Sequence, residues 1–206
     1  MGKRRLIGKI VILMLGLAAV VILAANSDTI PVSTPKKGYR VVIDPGHGGS
    51  DCGAVGVSGV KEAGLNLAVS LYLKEELEAL GMEAILTRSD ERALAEGKKA
   101  DMAARGKIMN GEGVDLVVSV HMNKFTDPSV HGPMAFYMKG SAEGEKLAKT
   151  VIDSITDELG APRRIANPGD YYVIRESMPV SVLVECGFLS NSGDEALLQQ
   201  EQHQKK

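Results

Sequence analysis

The stretch RVVIDPGHGG at residues 40–49 decides how the rest of the chain is interpreted. Its first half is a short, β-branched, apolar run, which is typical of a strand buried on both faces. Its second half is rich in glycine and carries His47 just after the predicted strand end. A buried strand that runs into a glycine-rich loop with an imidazole indicates a functional site at that strand end.

The rest of the chain alternates between strand-like and helix-like segments. Further strands are predicted at residues 83–87, 114–120, 134–138, 171–174 and 181–185. Helices are predicted at residues 62–80, 93–109 and 143–159, with a last one beginning at residue 194. Alternation of this kind predicts an α/β domain of three layers, with a mostly parallel, twisted sheet and helices on both faces. Sites in such sheets lie at the carboxyl ends of the strands.

Three predicted strands end in groups that can bind metal or transfer protons. The strands end at His47, at His121 and at Glu185, and Glu62 stands in the first turn of the helix that follows the first strand. Two imidazoles and one carboxylate with open positions form a catalytic zinc set. The second glutamate would then transfer protons. The spacing does not say which glutamate has which role.

Four further residues are candidates for supporting roles. Asp44 could orient His47 as a hydrogen-bond acceptor, and Asn66 lies four residues after Glu62 on the same helix face. Asn123 and Arg88 could contact substrate, although a turn role for Asn123 and a solvated loop position for Arg88 fit the sequence equally well.

Composition excludes several classes of protein. The chain has 206 residues, 44% of them hydrophobic, and a formal charge of −2, so nothing in its charge favours a nucleic-acid partner. Two cysteines, Cys52 and Cys186, are too few for a disulfide scaffold or a cysteine-rich zinc finger. We expect both to be free thiols, and Cys186 to point away from the face that carries Glu185.

The first 25 residues indicate export. Four basic residues precede an uncharged, apolar run at residues 10–25, a pattern that fits a cleaved signal peptide and an N-terminal membrane anchor equally well. Residues 26–38 are predicted to be a linker, and residues 39–206 the catalytic domain. After residue 25 the chain has 20 Lys and Arg against 26 Asp and Glu. An acidic exported domain must recognise an envelope polymer through a site rather than through long-range attraction.

Four motifs of the chain resemble those of one enzyme family and occur in the same order as in that family. They are VVIDPGHGG at 41–49, GVKEAGLNLAV at 59–69, VVSVHMN at 117–123 and VLVECGFLSN at 182–191. Together they resemble the N-acetylmuramoyl-L-alanine amidases of the amidase-3 family, from residue 39 to about residue 198. Within that family, the N-terminal apolar segment and the sequence at 165–191 are most similar to the spore-cortex type.

The resemblance implies a role for each residue of the site. Zinc, one ion per chain, would be held by His47, Glu62 and His121, and Glu185 would be the catalytic glutamate. The implied reaction is hydrolysis of the amide between the lactyl group of muramic acid and L-alanine in peptidoglycan. For the spore-cortex type, removal of the stem peptide prepares the formation of muramic-δ-lactam.

One departure from the family keeps other functions open. The last helix is short and ends in polar residues, where family members usually continue with a longer closing helix. An inactive or regulatory peptidoglycan-binding protein with an amidase fold is therefore one alternative. A zinc peptidase that cuts stem peptides elsewhere is another, and an accessory protein partner would leave no mark in the sequence.

Overall fold

The computed structural model describes residues 38–162 and 164–206. The predicted signal peptide or anchor at 1–25, and all but the last residue of the predicted linker at 26–38, lie outside the described residues. Within the described part, no helix is both long enough and apolar enough to pass through a bilayer.

Six strands and six helices follow one another along the described chain. The strands are β1 (Arg40–Pro45), β2 (Glu83–Leu86), β3 (Leu116–Asn123), β4 (Met134–Met138), β5 (Asn167–Gly169) and β6 (Val180–Phe188). The helices are α1 (Glu62–Ala79), α2 (Lys98–Met109), α3 (Ala142–Leu159), α4 (Tyr172–Arg175), α5 (Ser192–Leu198) and α6 (Glu201–Gln204).

All six strands form one sheet in the order β2-β1-β3-β6-β4-β5. In this order, the neighbouring strands β2, β1, β3 and β6 are parallel to one another. Strand β4 is antiparallel to β6, and β5 is parallel to β4. The sheet is therefore mixed but mostly parallel, as the sequence predicts.

Helices cover both faces of the sheet. On one face, Leu77 of α1 and Ile152 of α3 pack with Val182 of β6 in one apolar cluster. On the other face, Met109 of α2 and Ile174 of α4 pack in a second cluster. Because successive residues of the central strands point to opposite faces, burial on both sides requires the continuous apolar runs that the sequence shows. The three-layer α/β prediction is confirmed.

Two predicted elements differ from the structure. Residues 171–174 are predicted to be a strand but belong largely to helix α4, and the strand of this region, β5, comes earlier. Val173 and Ile174 are both buried in the same apolar cluster, which neighbouring residues of a strand could not achieve because they point to opposite faces. The helix predicted at 93–109 begins only at Lys98, after a loop.

The sheet brings three functional strand ends together. Strand β1 pairs with β3 so that Asp44 lies opposite Ser119, and β3 pairs with β6 so that His121 lies opposite Glu185. The β3–β6 register shifts directly after His121, between that residue and Asn123. The carboxyl ends of the three central strands therefore form one edge of polar side chains.

A test of the hydrophobic core uses a residue far from this edge. Ile152 is fully buried on α3, so the Ile152→Ala variant should lower the free energy of unfolding by about 2–5 kcal/mol through lost contacts and a cavity. Val57, which is 67% exposed, provides the control, and Val57→Ala should stay within about 0.5 kcal/mol of the wild type. Urea unfolding followed by circular dichroism measures both. Equal effects of the two variants would contradict the assigned core.

Candidate metal and catalytic site

A glycine at the end of β1 makes room for a histidine of β3. A Cβ atom added at Gly46 would collide with the imidazole of His121 and would lie 2.7 Å from its Nδ1 atom. The Gly46 N–H donates to the Val120 carbonyl at 3.0 Å, which fixes this close approach. Only glycine fits here, so the backbone of β1 and the ring of His121 are in direct contact.

His47 follows in a left-handed backbone conformation, with φ of 62°. Its Nε2 atom lies 3.2 Å from Glu62 Oε1, and its Nδ1 atom lies 3.0 Å from Asp51 Oδ1. Asp51, which the sequence analysis missed, therefore fixes the ring orientation from the outer side. A carboxylate four residues after a histidine, inside a glycine-rich loop, was the signal available in the sequence.

Glu62, the first residue of α1, lies between the two histidines. Its Oε1 atom is 2.8 Å from His121 Nδ1, and it accepts hydrogen bonds from the Met122 N–H at 3.2 Å and from Asn66 Nδ2 at 3.1 Å. Its Oε2 atom accepts from the Ala54 N–H at 2.7 Å. Asn66 therefore lies where the sequence analysis expects it, as a donor to Glu62 one turn along the helix.

The three side chains fit a divalent metal ion. One ligand atom from each of His47, Glu62 and His121 lies within 4.8 Å of the others. Ligands in a tetrahedral zinc site lie about 3.3 Å apart, since metal–ligand distances are about 2.0–2.2 Å. The distances from Glu62 Oε1 to the two imidazoles are close to that spacing. The cluster is a metal-binding His-Glu-His triad.

Electrostatics favour the charged form of Glu62. Burial alone would raise its pKa, but the hydrogen bonds and charges of His121 and His47 outweigh burial and hold the pKa well below its usual range. Burial alone would lower the pKa of His47, but Glu62 and Asp51 raise it above its usual value. A deprotonated carboxylate is the form that coordinates a metal ion.

Glu185 of β6 lies in a different environment, although it opens on the same cavity. The residue is 8% exposed, and its Oε2 atom has no hydrogen-bond partner within the described ranges. Burial, together with the charge of Glu62, raises the pKa of Glu185 to about 7, although the nearby histidines oppose the shift. An unpaired buried carboxylate is costly, so its place beside the triad favours a chemical role. Cys186, the next residue, packs with the apolar cluster of the opposite face.

Asp44 has a different contact from the one predicted. Its side chain accepts hydrogen bonds from Thr87 at 2.6 Å, from Ser119 at 2.9 Å and from Arg105 Nη1 at 2.8 Å. The predicted contact from Asp44 to the ring of His47 is therefore wrong, because both carboxylate oxygens are engaged beneath the sheet edge. Burial would raise the pKa of Asp44, but Arg105 and the two hydroxyls hold it below its ordinary value.

Arg88 also has a structural position. Its guanidinium is 3% exposed and donates to the carbonyls of Pro45, Gly46, Ala63 and Asp90. This burial does not fit the predicted substrate contact, because four of its five N–H groups already have backbone partners. A long cation after a strand end is equally suited to holding a loop, and the sequence does not separate the two roles.

A cavity of about 680 Å³ lies over the triad and Glu185. Its wall includes Ser50, Lys98, Asn123, Lys124 and Tyr171. Asn123 therefore lies in the cavity, as its predicted substrate contact requires, and its Oδ1 atom accepts from the Lys124 N–H at 2.7 Å. Tyr171, which was predicted to lie in a strand, also lines this cavity, and the residue is 39% exposed.

Known proteins share this sequence pattern and this fold. The family model of N-acetylmuramoyl-L-alanine amidases called Amidase_3 matches residues 41–206. The chain belongs to the Amidase_3 family. It is an N-acetylmuramoyl-L-alanine amidase with the metal-binding triad of that family intact.

Two kinds of comparison agree on this family. The germination-specific N-acetylmuramoyl-L-alanine amidase of Bacillus subtilis is 32% identical over 190 residues, which cover 88% of this chain and 80% of that protein. The structure of the CwlD amidase from Clostridioides difficile in complex with the GerS lipoprotein superposes with a TM-score of 0.75 at 30% identity, covering 81% of this chain and 91% of that one. The catalytic domain of CwlV from Bacillus (Paenibacillus) polymyxa var. colistinus gives 0.72 at 31% identity, covering 81% and 90%.

The close approach at Gly46 leads to a test of the triad. In Gly46→Ala, the new methyl group displaces the His121 ring, so the affinity for Zn²⁺ should fall at least about tenfold. Competition with a chromophoric chelator measures this affinity. Gly64→Ala is the matched control, because a Cβ atom at that position on α1 meets no described atom within 4 Å apart from its chain neighbours and the nearby backbone of its own helix. An unchanged affinity in Gly46→Ala would rule out His121 as a ligand.

The buried Asp44 predicts a pH-dependent stability. Because its folded pKa is below the ordinary value of 3.8, its contribution is present above that pH and is lost as the pH falls below it. Asp44→Asn should cost about 3–5 kcal/mol near neutral pH, since it breaks a buried ion pair, and much less in acid. Urea unfolding at both pH values measures the difference.

The exposed pair of Asp153 with Lys149, at 3.1 Å, provides the control. Asp153→Asn should change the free energy of unfolding by less than about 1 kcal/mol. A penalty for Asp44→Asn that is equally large on both sides of pH 3.8 would show that the stabilisation does not come from the charge of Asp44.

Proposed function

We propose that this amidase is a zinc enzyme that hydrolyses the amide between the lactyl group of N-acetylmuramic acid and L-alanine in peptidoglycan, and that it acts in spore-cortex maturation. The observation that carries the proposal is that one cavity contains both a metal-binding cluster and a separate buried carboxylate. A three-ligand metal cluster lies beside Glu185, a buried carboxylate whose Oε2 atom finds no partner among the described residues.

The donor set supports zinc as the metal, with one ion per chain. His47 Nε2, His121 Nδ1 and a carboxylate oxygen of Glu62 are the ligands that catalytic zinc sites use, and three protein ligands leave a position open. Zinc bound there would polarise the substrate carbonyl and lower the pKa of a water molecule in the open position. Asp51 and Asn66 would keep His47 and Glu62 in the ligating orientation.

Glu185 would transfer the protons. With a pKa of about 7, its carboxylate can accept a proton from the attacking water and then donate it to the leaving amine of L-alanine. Its Oε2 atom is free to do so, because it has no hydrogen-bond partner among the described residues. A carboxylate with an ordinary pKa would be a weaker base for the first step.

The choice of bond rests on the family, whereas the cavity indicates which residues are placed to contact the substrate. Asn123 and Tyr171 line the cavity beside the triad and are placed to contact the sugar or the stem peptide. A peptidase that cuts within the stem would need the same metal set, so product analysis must separate the two reactions.

The spore-cortex role rests on the relatives. The similarity to the germination-specific amidase and to the CwlD structure supports cortex peptidoglycan as the substrate and formation of muramic-δ-lactam as the outcome. Because CwlD was determined with the GerS lipoprotein, an accessory lipoprotein is the partner that we propose to test first. Action on peptidoglycan places the domain outside the cytoplasm, and residues 1–25 would serve as its signal peptide or anchor.

The assignment of Glu185 is tested by Glu185→Gln. The amide preserves shape but cannot accept a proton, so the release of stem peptides from cortex peptidoglycan should fall by about 10²–10⁴-fold, while Zn²⁺ affinity stays at the wild-type value. Mass spectrometry of the digested muropeptides identifies the products and the bond that is cleaved.

The neighbouring residue supplies a matched control. Cys186→Ala changes a side chain on the opposite face of the same strand, and it should retain activity. Normal turnover by Glu185→Gln would refute the proposed base. Products cleaved within the stem would favour the peptidase, and wild-type binding to glycan strands without any cleavage would favour the inactive binding protein.

A further inference from the structure

Two buried arginines hold the backbone that carries His47. Arg105 Nη1 donates to the Pro45 carbonyl at 2.7 Å, and its Nη2 donates to the His47 carbonyl at 2.5 Å. Arg88 donates from Nε to the same Pro45 carbonyl at 3.0 Å and from Nη2 to the Gly46 carbonyl at 2.8 Å. Three consecutive carbonyls therefore point at guanidinium groups that are 1% and 3% exposed.

The backbone at His47 needs such support. Among the described residues, His47 is the one non-glycine position with a positive φ, at 62°. A residue other than glycine keeps this left-handed backbone conformation only when its surroundings impose it. The hydrogen bond from Arg105 ends on the carbonyl of His47 itself, so it acts directly on the strained residue.

Arg105 is in turn fixed by two carboxylates. Its Nη1 lies 2.8 Å from Asp44 Oδ1, and its Nε lies 2.7 Å from Asp101 Oδ2 on the preceding turn of α2. The planar guanidinium thus bonds to two carboxylates and two carbonyls at once. A lysine ammonium keeps the charge but cannot reproduce this fork of donors.

We infer that Arg105 is a positioning residue for the metal triad, because its hydrogen bond to the His47 carbonyl holds the left-handed backbone that aims His47 Nε2 at Glu62. The inference rests on the proposed role of His47 as a metal ligand. It assigns to a buried ion pair, which would otherwise serve only stability, a part in setting metal affinity.

The test compares Arg105→Lys with the wild-type full chain. Partners of metal ligands typically change metal affinity by 10–100-fold when altered, so Zn²⁺ affinity should fall by at least about tenfold in the variant. Chelator competition with Zn²⁺ alone measures this without any turnover. Long-range ¹H–¹⁵N spectra of the metal-free protein should also show a changed resonance pattern for the His47 ring.

Arg40→Lys is the matched control. Arg40 Nη1 donates to the Glu112 carbonyl at 2.5 Å and its Nε to Glu83 at 2.9 Å, at the opposite end of β1 from the site. The same chemical change there should leave Zn²⁺ affinity and the His47 resonances at their wild-type values.

The outcomes separate this inference from the proposed function. A folded Arg105→Lys with a lower Tm but wild-type Zn²⁺ affinity would show that Arg105 is only structural, and would overturn the inference alone. A wild-type chain that binds no Zn²⁺ would overturn the proposed function and the inference with it. If Arg105→Lys does not fold, the Asp101→Asn variant takes its place, because it removes the charge that holds Arg105 Nε. This variant should also lower Zn²⁺ affinity. An unchanged affinity would overturn the inference.

Discussion

The carboxylate of Glu62 joins the three parts of the chain that build the site. It meets an imidazole from the loop after β1 and an imidazole from β3, and its other oxygen accepts from the Ala54 N–H. Because Glu62 begins α1, the partial positive charge of the helix N-terminus favours its ionised form as well. The loop, the helix and the strand thus meet at one negative charge, which brings the two imidazoles together.

Much of this arrangement could be predicted because it depends on periodicity and on strand ends. The apolar runs before His47, His121 and Glu185 predict buried parallel strands, and parallel strands bring their carboxyl ends to one edge. Residues 171–174 were mispredicted because two β-branched residues after two tyrosines favour a strand locally. Burial of Val173 and Ile174 on the same face outweighs that preference and selects a helical turn.

The support of the triad could not be predicted in the same way. Which partner a buried side chain finds depends on distances across the fold, and these distances have no period in the sequence. Asp44 was expected to orient the ring of His47 as a hydrogen-bond acceptor, but its carboxylate accepts instead from Arg105, which lies on helix α2. Arg88 likewise turns inward, and its guanidinium donates to the carbonyls of Pro45 and Gly46.

The two glutamates of the cavity differ through their surroundings rather than through their chemistry. Glu62 contacts two imidazoles and accepts from two backbone N–H groups, and the hydrogen bonds and charges of the imidazoles lower its pKa although burial opposes the shift. Glu185 lies on an apolar strand, and burial beside the charge of Glu62 raises its pKa to about 7. Opposite shifts in neighbouring carboxylates are how one site obtains a permanent anion and a proton carrier at the same pH.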